Sequence, residues 1–420
     1  MASGPLEGVR VVELTTAWAG PMAGRVLGFL GAEVIHVEAP TRVNTWRANK
    51  DAPKPVNYPG FEPGERPFDR VFLFNSQNVN KRSLILDLKK PEGRRVLDRL
   101  LAVTDVLTCN FRPGMLRRLR LDYNSLKALH PGIIVAEMPA YGLDGPESGY
   151  AALGPTMEMA AGMSAMIRYR DGKPAVTGPS YLDPIGGFNA AAAILTALLH
   201  RQATGQGQHI EVPQVEAAMQ FIGPELLAAA ESGSEPEPDG NHVADMAPHN
   251  AYPARGVDEW VAIAAEDERQ WQSLCRAMGR PGLARDPRFA TLSARLANQG
   301  ELDALIAEWT AGQDKHELAS RLQDLGVAAA SVNSPRDLAQ SAYLWHRGFF
   351  TELEHVHAGR HPHPGLPIHL GRTPGGQRTA APAFGADNGY VLRDLLGLPQ
   401  AEIEVIEASG AVATVPAKGA

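Results

Sequence analysis

Asp183 is the residue whose setting in the sequence best suits covalent chemistry. It stands in the segment Gly178-Pro-Ser-Tyr-Leu-Asp-Pro-Ile-Gly-Gly187, directly before an alanine-rich stretch that predicts a helix. Free amides and the helix dipole stabilise an ionised carboxylate at a helix N-terminus. Gly186 and Gly187 carry no side chains, which would let a substrate approach the carboxylate closely. Such an aspartate can attack an acyl carbonyl and form a covalent intermediate, although a plain helix cap is the alternative role.

The elements that must position Asp183 alternate between strands and helices. Apolar, β-branched runs predict strands, and apolar residues at helical spacing after Pro21 predict a helix that Gly31 ends. The predicted strands cover 9–14, 33–38, 83–88, 105–109, 132–137 and 209–212, and the predicted helices cover 22–30, 91–101 and 188–202. This alternation predicts an α/β fold with an open sheet of neighbouring parallel strands.

Two segments interrupt this alternation. Between Arg47 and Val71 lie five prolines, which exclude an interior helix or central strand and predict an inserted surface loop. A linker rich in Ser, Glu, Pro and Gly over 231–240 marks a domain boundary. Beyond it, a smaller α+β domain is predicted from a strand over 260–264 and helices over 268–278, 301–311 and 316–325. Strands, turns and a closing helix near 390–395 follow, and 410–420 has the composition of a frayed tail.

The composition excludes several classes of protein. Lys and Arg number 40 and Asp and Glu 47, so the 420-residue chain has a net charge of −7, a poor match for nucleic acid or an anionic membrane. Cys109 and Cys275 are too few for a disulfide framework and lack the spacing of a metal site. The N-terminal residues show no targeting pattern, and the small apolar run 190–199 is far below the roughly 18 residues of a spanning helix. We therefore expect a cytoplasmic protein with no membrane, nucleic-acid or metal partner.

Other catalytic motifs are missing. Glu38 ends the second predicted strand, where a ribose-binding acid would lie, but the turn after the first strand lacks G-x-G-x-x-G. A nicotinamide enzyme is therefore disfavoured, and no P-loop, H-E-x-x-H or G-x-S-x-G is present. Five histidines crowd one segment, in which prolines and glycines predict a solvated turn between two short strands and not a metal site. They are His355, His357, His361, His363 and His369.

A series of motifs in order resembles one enzyme family. The first are Val11-Val-Glu-Leu, Ala19-Gly-Pro, Leu30-Gly-Ala-Glu-Val-Ile-His-Val-Glu38, Asn80-Lys-Arg-Ser-Leu-Ile-Leu-Asp-Leu-Lys89 and Asp105-Val-Leu-Thr-Cys-Asn-Phe-Arg-Pro-Gly114. The later ones are Tyr141-Gly-Leu-Asp-Gly-Pro146, Asp183, residues 197–208, Asp286-Pro-Arg-Phe289 and Gly365-Leu-Pro367. Together they cover nearly the whole chain, which therefore resembles the class III CoA-transferases, the family of formyl-CoA transferase, carnitine CoA-transferase and α-methylacyl-CoA racemase.

This resemblance implies a fold and a mechanism. A large doubly wound, Rossmann-like domain would consist of residues 1–224 and 336–420, with a smaller α+β domain over 225–335, in an interlocked homodimer. Asp183 matches the aspartate that attacks the donor thioester to give a mixed anhydride. Released CoA thiolate would convert this anhydride to an aspartyl-CoA thioester, and an acceptor carboxylate would then reverse the steps. Coenzyme A would enter as an acyl-CoA substrate, with no permanently bound cofactor, and its binding energy would hold the reacting groups together.

The CoA contacts of the family match residues in several loops of this chain. They are Trp18, Ala19, Asn80, Lys81, Asn110, Phe111, Arg112, Arg118, Ala140 and Tyr141. CoA carries phosphates, which guanidinium groups bind in bidentate fashion. Arg112, Arg117, Arg118 and Arg120 form a basic run, of which we expect one or two members to touch CoA and the others to face solvent. For Phe111 and Tyr141, ordinary core packing is the alternative.

Departures from the family pattern bear on the substrate. Trp18 stands where formyl-CoA transferase has glutamine, and Ala39 stands where it has arginine, so the adenosine contacts are expected from Arg42 or Arg47. The glycine-rich flap of the formyl enzyme is absent from 241–250, so formyl-CoA is not the favoured donor. The insertion and four methionines could line a roomy apolar acyl pocket, which would suit an aromatic, branched or steroid-like acceptor with a succinyl-CoA-type donor, or the methionines could pack in the core. These are Met157, Met159, Met163 and Met166.

The choice of reaction within the family rests on a missing histidine. A racemase of this family needs an acid/base histidine shortly after the Tyr-Gly…Gly-Pro motif, and residues 152–162 contain none. Glu158 could substitute, although a hydrogen-bonded structural role suits it better. The sequence therefore predicts CoA transfer between carboxylic acids, with racemisation or isomerisation by the same family as the alternative. A non-catalytic CoA-binding protein is a further alternative, which the intact Asp-Pro-Ile-Gly-Gly segment disfavours.

Overall fold

Strands and helices alternate along most of the chain in a computed structural model that describes residues 4–47, 55–169, 173–234 and 238–418. The strands are β1 Arg10–Leu14, β2 Glu33–Glu38, β3 Lys81–Ile85, β4 Val106–Cys109, β5 Ile134–Glu137, β6 His209–Glu211, β7 His249–Pro253, β8 Trp260–Ala264, β9 Ala328–Ser331, β10 Phe350–His355 and β11 Gly359–Pro364. The helices are α1 Ala19–Phe29, α2 Pro67–Arg70, α3 Phe72–Gln77, α4 Pro91–Leu101, α5 Met115–Arg118, α6 Tyr123–Lys127, α7 Gly154–Ala160, α8 Met163–Met166, α9 Leu182–Thr204, α10 Gln214–Met219, α11 Gly223–Ser232, α12 Glu268–Ala277, α13 Leu292–Ala297, α14 Gln299–Thr310, α15 Lys315–Asp324, α16 Pro335–Ala339, α17 Ala342–His346 and α18 Gln400–Ala408. A π-helical turn covers Tyr390–Leu395.

A six-stranded parallel sheet forms the centre of the larger unit. Its strand order is β3-β2-β1-β4-β5-β6, and every neighbouring pair is parallel. This is a doubly wound, Rossmann-like order in which the direction of winding reverses between β1 and β4. Successive residues of β1 face opposite sides, so Val11 packs in the core under α1 and α9 while Val12 packs in the core on the other face. The predicted α/β fold is confirmed.

The described residues divide into two compact units. The larger one contains the chain up to Ser164, Val176–Leu227 and the chain from Ala342, and the smaller one contains Ala165–Ala175 and Ala228–Ser341. The sequence places the boundaries at 224/225 and 335/336, and it does not foresee that Ala165–Ala175 leaves the larger unit.

The chain from Ala342 onward completes the larger unit, because its residues form hydrogen bonds with the edge strand β3. The side chains of Asp387 and Asn388 accept hydrogen bonds from the backbone N–H groups of Ser83 (2.8 Å) and Ile85 (2.9 Å) in β3. The expectation of a frayed tail over 410–420 is wrong for its described part. Ala411 is fully buried and its carbonyl accepts a hydrogen bond from the N–H of Asp87, so the tail is anchored beside the sheet.

The smaller unit has its own core. Its sheet has the order β7-β8-β9 with antiparallel pairing. Trp271 and Phe289 are fully buried and pack edge to face, 6.4 Å between ring centroids. Arg295 is buried beside Trp271 and pairs with Glu268 at 2.7 Å, so its charge is compensated.

Helix α9 begins six residues earlier than its alanine-rich composition predicts. It starts at Leu182, since Pro184 is tolerated in the first turn of a helix, where its missing N–H has no partner to lose. By length and composition alone this helix could cross a membrane. In the larger unit one side of it is buried, with Ala190, Ile194 and Ala197 in the core, as in core helices of globular proteins.

Two segments predicted to face solvent are partly buried. In the proline-rich insertion, of which residues 48–54 lie outside the described residues, Arg47 and Asp69 are fully buried and ion-paired at 3.0 Å. The histidine-rich segment is a hairpin of β10 and β11, as predicted, but His355 and His363 lie on its buried side. Burial lowers the pKa of each imidazole to about 4, so both are neutral near pH 7. Among the described residues, no three His, Cys, Asp or Glu side chains lie together as a metal site.

Candidate active site

Three loops leave the parallel sheet at one edge, where the winding reverses. They follow the carboxyl ends of β1, β4 and β5, which is where open α/β sheets bind their ligands. The predicted CoA contacts on these loops are Trp18, Ala19, Asn110, Phe111, Arg112, Ala140 and Tyr141. These residues are far apart in the sequence, but the topology of the sheet brings their loops to the same edge.

The loops after β1 and β4 are joined by the side chain of Asn110. Its Oδ1 accepts a hydrogen bond from the backbone N–H of Thr16 at 2.9 Å, and its Nδ2 donates to the carbonyl of Thr16 at 2.9 Å. Both ends of the amide are therefore engaged by one residue. The backbone between β1 and α1 is fixed in place across the point where the winding reverses.

Asp183 lies in the first turn of α9 and meets the first residue of α1. Burial raises the pKa of Asp183 to about 6, and the nearby backbone N–H of Ala19 only opposes this rise. Desolvation therefore outweighs the stabilisation of the charged form that is expected at a helix N-terminus. At pH 7 roughly nine in ten molecules would still carry the ionised carboxylate.

The small residue that faces Asp183 is Gly154, which the sequence reasoning missed. A Cβ on Gly154 would overlap the Oδ2 atom of Asp183 and the side chain of Ser180. Gly186 and Gly187, expected to open the site to substrate, instead let elements pack closely. A Cβ on Gly186 would lie 2.8 Å from Cγ of Gln214, and one on Gly187 would lie 2.7 Å from the carbonyl oxygen of Ala19. The only signal for Gly154 in the sequence is its place before Pro155 at the start of a helix.

Aromatic side chains lie beside this edge. Trp18 is half-buried and packs on Trp46 with ring centroids 5.4 Å apart. Its indole Nε1 is buried and has no hydrogen-bond partner among the described residues. Tyr141 packs against Tyr150 at 5.8 Å and joins the cluster around Leu182, next to Asp183. Phe111 packs partly against the sheet core.

The basic run after β4 is exposed. Arg112, Arg117, Arg118 and Arg120 all face solvent. None of the four forms an ion pair with a described residue, whereas Arg94 and Arg99 of the preceding helix do. These guanidinium groups are therefore available to an anionic ligand.

Asn80 and Lys81 do not join this edge. Both lie at the amino end of β3, and in parallel strands that end is on the opposite side of the sheet from the three loops. The side chain of Asn80 holds the return segment, donating to the carbonyl of Gly376 at 2.7 Å. Lys81 is buried and its ammonium pairs with Glu13 at 2.7 Å.

Arg47 and Glu38 are also engaged elsewhere. Arg47 is fully buried between Glu38 (2.9 Å) and Asp69 (3.0 Å), so it cannot present its charge to adenosine phosphates as expected. Arg42 is exposed and remains the candidate of that pair. Glu38 also accepts a hydrogen bond from the N–H of Asn44 at 3.0 Å, so its carboxylate is not free to bind a ribose.

Glu158 has the structural role expected of it. Its carboxylate is buried and accepts hydrogen bonds from the N–H of Thr177 (2.8 Å) and from its hydroxyl (3.0 Å). The methionines do not gather around one pocket, since Met157 is buried in the core and Met159 is more than half exposed.

Comparisons with known proteins identify the family. The sequence model of CoA-transferase family III matches residues 6–388. The chain is 32% identical over 407 residues to succinyl-CoA–D-citramalate CoA-transferase of Chloroflexus aurantiacus, covering 96% of this chain and 97% of that protein. It is 27% identical over 432 residues to formyl-CoA:oxalate CoA-transferase of Afipia carboxidovorans, covering 98% of each. A CaiB/BaiF family protein of Brucella suis has the same fold with a TM-score of 0.84 and 30% identity, over 94% of this chain and 100% of that one. The chain therefore belongs to CoA-transferase family III, and it is an enzyme of that class.

Proposed function

We propose that this enzyme moves CoA from a succinyl-CoA-type donor to a carboxylic acid through a covalent intermediate on Asp183. The observation that carries the proposal is the setting of Asp183: a half-buried carboxylate in the first turn of α9, faced closely by Gly154. It lies at the sheet edge that also carries the exposed arginines. No other carboxylate among the described residues combines these features.

In the proposed first half-reaction an oxygen of Asp183 attacks the thioester carbonyl of the donor. The carbon–sulfur bond breaks, CoA leaves as thiolate, and a mixed anhydride joins the acyl group to Asp183. The thiolate then attacks the aspartyl carbonyl, which releases the donor acid and leaves Asp183 as a CoA thioester. An acceptor carboxylate attacks this thioester, and the displaced thiolate takes the new acyl group and restores Asp183. A carboxylate with a pKa of about 6 is ionised at neutral pH and needs no general base for this attack.

The CoA portion of the donor is proposed to bind along the loops after β1, β4 and β5. Arg112 and Arg118, both exposed and unpaired within the described residues, would receive phosphate groups in bidentate fashion. Trp18, Ala19, Asn110, Phe111, Ala140 and Tyr141 would contact the rest of the molecule. For Asn110 we propose a backbone contact, since its side-chain amide already holds Thr16.

Our proposals for the acyl donor and for the oligomeric state rest on the relatives and on the family resemblance. The relative at 32% identity is named for succinyl-CoA, and the glycine-rich flap of formyl-CoA transferase is absent from 241–250. Racemisation is disfavoured because Glu158, its one candidate base, is committed to Thr177. We further propose that the enzyme is an interlocked homodimer in the cytoplasm. A light-scattering measurement of mass in solution would test the dimeric state.

Intact-protein mass spectrometry tests the proposed intermediate. The wild type, Asp183→Ala and the control Asp144→Asn, an exposed carboxylate in the β5 loop, are incubated with succinyl-CoA, formyl-CoA and longer acyl-CoAs. We expect a CoA-sized adduct on the wild type and on the control, removed by hydroxylamine, mapping to Asp183 and missing from Asp183→Ala. Binding of every donor without any adduct would overturn the proposal and favour isomerisation or a binding-only role. Deuterium exchange at the acyl α-carbon would separate those two.

A further inference from the structure

A serine hydroxyl lies beside the proposed nucleophile. Gly154, the first residue of α7, faces both side chains. A Cβ on Gly154 would overlap Oδ2 of Asp183 and would lie 2.6 Å from Oγ of Ser180. Because both oxygens lie within 2.6 Å of that one point, they are no more than about 5 Å apart. The hydroxyl and the carboxylate therefore border the same hollow, which exists because residue 154 has no side chain.

The Ser180 hydroxyl is not used to hold the fold together. It forms no hydrogen bond with a described residue, and its side chain is only half-buried. The neighbouring hydroxyl of Thr177 differs, since it donates to the carboxylate of Glu158 at 3.0 Å. A serine hydroxyl carries one donor, so Oγ of Ser180 is free to donate to a ligand in the hollow.

The backbone on both sides of Ser180 is fixed in place. Before it, the N–H of Thr177 donates to the buried carboxylate of Glu158 at 2.8 Å. After it, the N–H of Asp183 donates to the carbonyl of Ser180 at 3.2 Å. Gly154 and Glu158 are four residues apart and lie on the same side of α7. One helix therefore provides both the hollow and the anchor of the loop that carries Ser180.

The proposed reaction develops negative charge within reach of this hydroxyl. When Asp183 attacks the thioester, the charge grows on the carbonyl oxygen, which is bonded to the same carbon as the attacking oxygen. A hydrogen-bond donor stabilises such an oxygen from roughly 2.7–3.1 Å. A donor within about 5 Å of the attacking atom meets this requirement. When the thiolate then attacks the aspartyl carbonyl, the charge grows on an oxygen of Asp183 itself, which Ser180 also borders.

We infer that Ser180 is a further catalytic residue, whose hydroxyl donates a hydrogen bond to the carbonyl oxygen that gains charge in each of these steps. Glu158, acting through Thr177, is a positioning residue for it. The inference rests on the proposed role of Asp183 as nucleophile. No covalent bond to Ser180 forms or breaks, and its proton stays on Oγ throughout.

Three variants of the full-length protein test this role. Ser180→Ala removes the hydroxyl and adds no atom to the hollow. Thr177→Val removes the side-chain hydrogen bond to Glu158 and keeps the one from the backbone N–H. Ser76→Ala is the control, because Ser76 is another half-buried serine, on α3, whose hydroxyl donates to the carbonyl of Leu73 at 3.0 Å. Circular dichroism and thermal melting check that each variant folds.

The main measurement is the single-turnover rate of adduct formation on Asp183 at pH 8 with saturating acyl-CoA, together with KM. We expect Ser180→Ala to react about a hundredfold more slowly with every acyl donor, the usual effect of losing one such donor. Thr177→Val should be about fivefold slower, since one neutral hydrogen bond is lost from the support. KM should stay within twofold, and Ser76→Ala should match the wild type. A purely structural role would lower the melting temperature without this selective loss of rate.

A loss of less than tenfold in folded Ser180→Ala would overturn the inference. A raised KM with an unchanged rate would also do so, and would make Ser180 a binding residue. If the wild type forms no adduct, the proposed function fails instead. The inference is then judged by infrared spectroscopy of a ¹³C-labelled thioester carbonyl bound to Asp183→Ala, with and without Ser180→Ala.

The infrared experiment needs no turnover, so it keeps the two failures distinct. A hydrogen bond from Ser180 weakens the carbonyl double bond and lowers its stretching frequency. We expect the frequency to rise when the hydroxyl is removed. An equal frequency in the two proteins would contradict the inference, whatever the outcome for the adduct.

Discussion

Gly154, the first residue of α7, faces the side-chain carboxylate of Asp183 in the first turn of α9, where a Cβ on Gly154 would overlap Oδ2 of Asp183. The two helices pack together around the buried side chains of Met157 and Leu182. Helix α9 also lies close to α1 at Gly187, where a Cβ would lie 2.6 Å from Cβ of Met22. The candidate nucleophile is therefore positioned by the packing of α9 against α7 and α1.

The rate of CoA transfer should fall on the acid side with the ionisation of Asp183. Burial raises its pKa to about 6, and only the ionised form is a nucleophile. The rate should be level above about pH 7 and should fall about tenfold for each pH unit well below 6. Stopped-flow or quenched measurements of adduct formation between pH 4.5 and 8.5 check this. An acid limb near pH 4 would contradict the burial of the carboxylate.

Asp183→Asn should stabilise the folded protein at neutral pH although it abolishes transfer. A carboxyl whose folded pKa is raised above its unfolded value favours folding only in its protonated form. Its contribution is complete below about pH 4 and is lost as the pH rises through about 6. We expect Asp183→Asn to raise the free energy of unfolding by on the order of 1–2 kcal/mol at pH 8 and by little at pH 3.5. Urea unfolding at the two pH values measures the difference, and an equal effect at both would be evidence against this account.

Gly154→Ala should impair transfer more than it impairs folding. The added methyl would overlap Oδ2 of Asp183 and the side chain of Ser180, so the carboxylate must move. We expect kcat to fall by roughly ten- to a hundredfold, since small displacements of a reacting group cost that much. Gly149→Ala is the control, because its Cβ would meet nothing within 4 Å. Equal losses in the two variants would show that Gly154 does not shape the site.

Arg112→Gln and Arg118→Gln should weaken the binding of the donor with little change in kcat. Each guanidinium is exposed and without an ion-pair partner among the described residues, as a phosphate ligand requires. We expect at least one variant to raise the KM of the acyl-CoA by about tenfold, the value of one charge-assisted contact. Arg95→Gln, which breaks an exposed pair with Glu92, is the control. Comparison with the dephospho-CoA thioester identifies the arginine at the 3′-phosphate, since its variant should no longer distinguish the two donors.

Arg47→Met should destabilise the larger unit strongly. It leaves the buried carboxylates of Glu38 and Asp69 without their shared cation, which costs about 3–5 kcal/mol. Arg42→Met changes an exposed arginine nearby and should stay within about 0.5 kcal/mol of the wild type. Urea unfolding followed by circular dichroism compares the two. A loss for Arg42→Met as large as that for Arg47→Met would show that the buried pair is not the cause.

Local pattern was enough to find the sheet and the nucleophile candidate. Strand β2 and helix α4 have the predicted bounds, because their apolar spacing is decided within the segment itself. Asp183 was singled out by the glycines and the alanine-rich helix that follow it. The start of that helix was misplaced, since Leu182 in its first turn is buried against Met157 and Val215, a contact that the composition of the helix does not reveal.

Partners that lie far apart in the sequence decided what each polar residue does. The motif around Lys81 predicts a CoA ligand. In the fold its ammonium instead binds Glu13 of β1 and the carbonyl of Pro21 in α1. The prolines and glycines around His355 predict a solvated histidine, but the pairing of β10 with β11 places it on the buried side of the hairpin.

By itself the sequence determined the α/β class, the order of the strands along the chain and the residue types available at their ends. The tertiary structure decided which charges are buried as pairs, which glycines serve packing, and that Gly154 faces Asp183. The physical reason is that periodicity and propensity act over a few residues, whereas burial, desolvation and hydrogen-bond geometry depend on segments brought together only by the completed fold.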